Sequence, residues 1–124
     1  MFGEPLKSLI DHTEGGMAAI ILALDGIVVE SYVKPELDAE QVELMSAEIV
    51  AVLKQWRAAS SAETFGTANE FILRSDKTSL IFKVMKNEDS SDEYVLALVV
   101  EASKPAGKGR FYMRVAEQIL LPEL

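Results

Sequence analysis

Residues 17–33, MAAIILALDGIVVESYV, decide how the rest of the chain is read. The run from Met17 to Leu24 is apolar at every position. Successive residues of a strand point to opposite faces, so a run of this kind belongs inside a sheet covered on both sides. Asp25-Gly26 then separates it from Ile27–Val33. Asp-Gly between two β-prone runs is the strongest short hairpin signal, with both central residues expected at positive φ. The second run turns polar at Glu30 and Ser31, as an edge strand would.

Upstream of this hairpin, a short helix is predicted from Pro5 to His12, because Pro is tolerated in a first helical turn. Phe2, Leu6, Leu9, Ile10 and Thr13 form a stripe at helical spacing, so one side is buried. Gly15 and Gly16 end the helix. Downstream, Lys34-Pro35-Glu36-Leu37 breaks the sheet and Asp38 caps a long helix, Ala39 to Ala58. With Gln41 three residues on, Asp38 has the form of a capping box. At 1.5 Å per residue this helix is roughly 30 Å long. Val42, Met45, Ile49, Val52, Leu53 and Trp56 fall on one broad face, expected to lie on the sheet. A thinner strip of Leu44, Ala47, Ala51 and Ala58 falls on the far side.

Ala59–Ala68 reads as a surface loop. Asn69–Ser75, Ser79–Met85 and Glu93–Glu101 read as three further strands, with turns at Asp76-Lys77 and Asn87–Asp92. Short links between neighbouring strands imply an antiparallel meander. A Pro/Gly loop, Ala102–Gly109, leads into a last helix from Arg110 to Leu121. That helix keeps Phe111, Val115, Ala116 and Ile119 within one arc, and Pro122 stops it. The expectation is a single domain, residues 1–124, of α/β (α+β) type. A five-stranded antiparallel sheet carries helices on both faces, in the order α-β-β-α-β-β-β-α.

A chain of 124 residues is enough for one self-sufficient core. It has no Cys and a single His, which excludes disulfides, thiolate zinc sites, a Cys nucleophile and any mechanism needing two imidazoles. The net charge of −8 disfavours nucleic acid as a partner. The longest apolar run, eight residues, is far short of a bilayer span, and no basic lead with a long apolar stretch follows Met1. No membrane insertion is expected, and a cytoplasmic location is.

Candidate chemistry is thin. Gly107-Lys108-Gly109-Arg110 lacks the four-residue spacer and the Ser or Thr after Lys that a phosphate loop needs. It reads as a flexible lead-in to a helix. Lys104, Lys108, Arg110 and Arg114 form a basic cluster near a helix start, where positive charge is mildly unfavourable. They are either a solvated collar or a contact for an acidic partner. Glu88, Asp89, Asp92 and Glu93 lack the ligand spacing of a calcium loop. His12 has no nucleophile beside it, and Ser60, Ser61 and Thr64 have no base to activate them. Trp56 is a core or dimer residue. No catalytic, metal or cofactor-binding residues are nominated, and no cofactor is expected.

Several features together resemble the Roadblock/dynein light chain family, and within it the bacterial MglB-like regulators of Ras-like GTPases. They are the Gly16-Met17 start of an apolar strand, the Leu24-Asp25-Gly26 hairpin and the long helix opened by Asp38. The Phe71–Met85 hairpin, the Tyr94–Val100 strand and the Gly107–Phe111 lead-in complete the set. The resemblance spans nearly the whole chain, although no single feature is a fingerprint. It implies a homodimer paired through the long helix and the third strand, here Ala47, Ala51 and Lys54 with Phe71, Ile72 and Leu73. Independently, Phe71-Ile72-Leu73 is apolar on both faces of an expected edge strand, which aggregates unless something pairs with it. The resemblance further implies a non-enzymatic regulator that docks on a small Ras-like GTPase and modulates its GTP hydrolysis. It nominates Gln41, Leu44, Glu48 and Gln55 for that contact, with Arg57 to be tested as a finger. The alternative is a dimeric scaffold subunit, dynein light chain-like, with no effect on nucleotide turnover.

Overall fold

Five strands form one antiparallel sheet in the order β2-β1-β5-β4-β3. They are β1 (Gly16–Ala23), β2 (Val28–Val33), β3 (Glu70–Arg74), β4 (Thr78–Lys86) and β5 (Glu93–Glu101). The computed structural model describes residues 2–89 and 91–124; Ser90, inside the expected Asn87–Asp92 turn, and Met1 lie outside them. The helices are α1 (Gly3–His12), α2 (Ala39–Ala59), a one-turn α3 (Ala62–Phe65) and α4 (Gly107–Leu120). A 3-10 turn, Leu121–Glu123, contains Pro122 and closes the chain. The order and class are those read from the sequence, with α3 added inside the expected 59–68 loop.

The three inner strands alternate between two cores. Ala18, Ile20 and Leu22 of β1 join Val95, Ala97 and Val99 of β5 beneath α2. Their neighbours Ala19, Ile21, Leu96, Leu98 and Val100 point the other way, beneath α1 and α4. A strand buried on both faces has no polar side to show, which is why β1 and β5 are continuous apolar runs. The β2 and β3 edges are linked only through α2, which carries the chain from one side of the sheet to the other.

The first hairpin is built differently from expectation. Only Gly26 takes positive φ, 87°, and no non-glycine residue among those described does. The Gly26 amide donates to Ala23 and the Ala23 amide to Ile27, each at 3.0 Å. This is a three-residue loop ending in a left-handed glycine, so Asp25 keeps negative φ. Its carboxylate accepts instead from the Ile27 amide at 2.9 Å. Asp38 does cap α2, but accepts from the Glu40 amide at 3.1 Å, one residue short of the expected partner Gln41.

Which side of each long helix meets the sheet also differs. In α2 the buried stripe is Val42, Ser46, Ile49, Val50 and Leu53, whereas Met45, Val52 and Trp56 are exposed. Ser46 fits because its hydroxyl donates back to the Val42 carbonyl at 2.7 Å, so no polar atom is stranded. In α4 the buried stripe is Gly109, Met113, Ala116 and Leu120, and the expected arc of Phe111, Val115 and Ile119 faces outward except for Ala116. Gly109 sets this rotation. A Cβ there would lie 3.0 Å from Leu98 Cδ2 and 3.3 Å from Ile81 Cδ1, so the helix backbone approaches the sheet where a side chain has little room.

Candidate functional site

Strand β3 is hydrogen-bonded on one side only, to β4, and its other side is open. Phe71 leans on Phe82 with ring centroids 5.1 Å apart, while Ile72 and Leu73 are exposed. The α2 helix does not reach over this edge. A groove of about 370 Å³ therefore remains between them, walled by Val52 and Trp56 on α2 and by Ala68 and Phe71 on the strand side. Trp56 is 59% exposed, Val52 53% and Leu73 51%. Large apolar side chains gathered beside an open strand edge mark an interaction surface rather than a solvated one.

Gln41, Leu44 and Glu48 are exposed on α2, and Gln55 is exposed about two turns further on. Ala51 and Lys54 are exposed as well. Ala47 is not free, because it packs against the hairpin turn, where a Cβ on Gly26 would lie 3.6 Å from its own Cβ. The structure thus sets Val52 and Trp56, rather than Ala47, beside the third strand. Helical spacing put Val52 on the sheet-facing side and left Trp56 open between core and dimer contact. The signal that would have found them is Ser46, a small residue whose place in the buried stripe rotates the helix away from Met45 and Val52.

Arg57 departs from the expectation of a free finger. Its Nη1 and Nη2 donate to the two oxygens of Glu93 at 3.0 and 3.1 Å. Nε and Nη2 donate to the Ala68 carbonyl at 3.2 and 2.9 Å. The guanidinium is spent inside its own chain, tying the end of α2 to the start of β5 and to the segment that leads into β3. Its positive charge in the last turn also suits the helix dipole.

The basic cluster is split. Lys104 pairs with Glu14 at 3.5 Å, and Arg110 pairs with Glu70. The hydrogen bond that Arg110 donates to the Glu70 carboxylate, then that carboxylate's charge, pushes the Arg110 pKa further up. Lys108 and Arg114 have no ion-pair partner among the described residues. Lys83 meets Glu117 at 2.9 Å and fastens β4 to α4. Among the described residues no helix is long and apolar enough to cross a membrane.

A five-stranded antiparallel sheet in this order, with one long helix on one face and the two terminal helices on the other, is the fold of the Roadblock/LC7 domain proteins. The chain resembles MglC from Myxococcus xanthus at 26% identity, covering 98% of this chain and 97% of that one with a TM-score of 0.68. It is similar to a Roadblock/LC7 domain from Streptomyces avermitilis at 19% identity, with 97% and 94% covered and a TM-score of 0.78. The gliding protein MglB from Thermus thermophilus matches at 15% identity, with 92% and 81% covered and a TM-score of 0.76. No protein-family model and no curated protein matches the chain.

Proposed function

We propose that the protein is a non-enzymatic, dimeric regulator that binds a small Ras-like GTPase and modulates its GTP hydrolysis. The observation that carries this reading is the open edge of β3 beside the groove walled by Val52 and Trp56. Two copies related by a twofold axis pair β3 with β3, extend the sheet across both chains, and lay each α2 against the other's groove. Val52, Trp56, Phe71, Ile72 and Leu73 form that interface. Gln41, Leu44, Glu48 and Gln55 then stand along the outer side of the paired helices as the GTPase-facing surface. Arg57 plays no finger role here; it holds the α2 end and the β3 lead-in at a fixed spacing. The likeness to MglC and MglB structures supports the regulator over an unrelated binding module.

Such a protein acts through shape, by holding the GTPase's own residues in the geometry hydrolysis needs. The test is single-turnover GTP hydrolysis by a Ras-like GTPase encoded near this gene, with and without the purified protein. Several-fold acceleration is expected, lost on Leu44→Glu with Glu48→Lys. Binding with unchanged turnover establishes the scaffold role instead, and absence of binding overturns the GTPase reading.

A further inference from the structure

The outward stripe Phe111, Val115 and Ile119 lies on the opposite side of the sheet from α2, so the dimer and GTPase surfaces leave it uncovered. Phe111 is 52% exposed and Ile119 54%. Val115 and Ile119 of the stripe, with Pro5 and His12 of α1 and with Tyr112, border a groove of about 120 Å³, room for one large apolar side chain. Spacing of i, i+4, i+8 makes a straight ridge about 12 Å long, the form into which another helix packs. At helical spacing, Lys108 and Arg114 project on either side of Phe111, each three residues from it and each without an ion-pair partner among the described residues. The first turn of α4 carries no acidic residue to neutralise them, and Glu117 is taken by Lys83. Lys108, in the first turn of α4, is mildly unfavourable there until an anion approaches.

We infer that the α1–α4 face is a second docking surface, and that its occupant is an amphipathic helical segment of another protein with acidic residues flanking its apolar stripe. The partner's apolar side chains lie along Phe111, Val115 and Ile119, one of them entering the groove beside Tyr112. Its carboxylates meet Lys108 and Arg114. An anionic membrane is a poorer match, because a chain of net charge −8 is repelled by such a surface as a whole. A second copy is also poorer, since it offers the same cations back. The protein is then a two-sided connector, with one face for its regulated partner and the other for the segment that brings it there.

The test is selection of a phage-displayed library of helical peptides on the intact protein, counter-selected on the double variant Phe111→Ser, Ile119→Ser. Enrichment of peptides with apolar residues at helical spacing and flanking Asp or Glu is expected. A synthetic copy of the enriched peptide should lose about tenfold or more in affinity on Lys108→Glu with Arg114→Glu. The same peptide with its acids changed to Lys should regain that affinity on the reversed variant. Glu63→Lys, exposed on α3 and outside the dimer groove and both docking surfaces, should leave binding unchanged, and the peptide is titrated without any GTPase, so failure here and failure of the GTPase reading are told apart. No enrichment, or enriched peptides indifferent to both double variants, overturns the inference. So does binding to phosphatidylserine vesicles that vanishes on Phe111→Ser with Ile119→Ser, or self-association that vanishes on the same change.

Discussion

The guanidinium of Arg57 lies side-on to the carboxylate of Glu93, two parallel hydrogen bonds of 3.0 and 3.1 Å joining residues 36 positions apart. Both side chains are about one-fifth exposed, so water weakens the pair without replacing it. Because the same guanidinium also holds the Ala68 carbonyl, it couples the end of the long helix, the central strand and the approach to the open edge.

Removing that fork has a defined cost. Arg57→Ala should lower stability by about 2 kcal/mol, since two charge-assisted bonds and a carbonyl contact go together. Arg57→Lys should recover less than half, because an ammonium cannot bridge both oxygens and the carbonyl in one plane. Urea denaturation checks this, as a lower midpoint at unchanged slope. An Arg57→Ala variant that keeps full stability would show the pair to be ornamental.

The proposed dimer should come apart at the groove and not at the small-residue strip. Val52→Glu, or Leu73→Glu on the strand, should weaken self-association by roughly a hundredfold or more, read by sedimentation velocity across micromolar concentrations. Ala47→Leu should instead strain the Gly26 turn of its own chain. It should lower stability by about 1–3 kcal/mol with the dimer intact. The reverse pattern would move the interface to the Ala47 side of α2.

Gly16 is required by close approach rather than by backbone torsion. A Cβ there would sit 2.9 Å from the Ile10 carbonyl oxygen and 3.1 Å from that of Thr13, both backbone atoms that cannot rotate away. Gly16→Ala should therefore cost about 1–3 kcal/mol. Gly107→Ala, with open space around it, is the control; in a helical first turn it should be neutral or slightly stabilising. Thermal unfolding of both variants settles the comparison.

Ser79 should respond in the opposite sense. Its hydroxyl is buried on β4 with no hydrogen-bond partner among the described residues, so the folded state carries a desolvated polar group. Ser79→Ala should raise stability by about 1 kcal/mol, measured by the same urea titration.

The sheet was legible because a strand covered on both sides reads as an unbroken apolar run, as Met17–Ala23 of β1 and Tyr94–Val100 of β5 do. The edge position of the third strand was legible for a different reason, because Phe71-Ile72-Leu73 is an apolar run in a strand with a neighbour on one side only. The facing of α2 and α4 was not. Both helices are apolar around more than half of their circumference, so helical spacing gives the width of the arc but not its centre. The residues that fix the centre, Ser46 and Gly109, are small and carry no hydrophobic signal. Nor could local pattern announce that Arg57 is spent on Glu93, since that pairing exists only once the last strand is in place. The edge position of the third strand was thus legible, while the side that α2 turns toward it was not.

Strand β5 is the last to be synthesised and the innermost in the sheet, with β1 on one side and β4 on the other. Until residues 93–101 leave the ribosome, the two hairpins are strangers, each with an inward flank that water alone can satisfy. Assembly must wait for one late segment to slot between two early ones, a long-range closure that slows folding and lengthens the time in which nascent chains can stick to each other. A cell making this protein therefore has its greatest exposure to misassembly before residues 93–101 emerge, and chaperone capture should concentrate on chains stalled before Glu93.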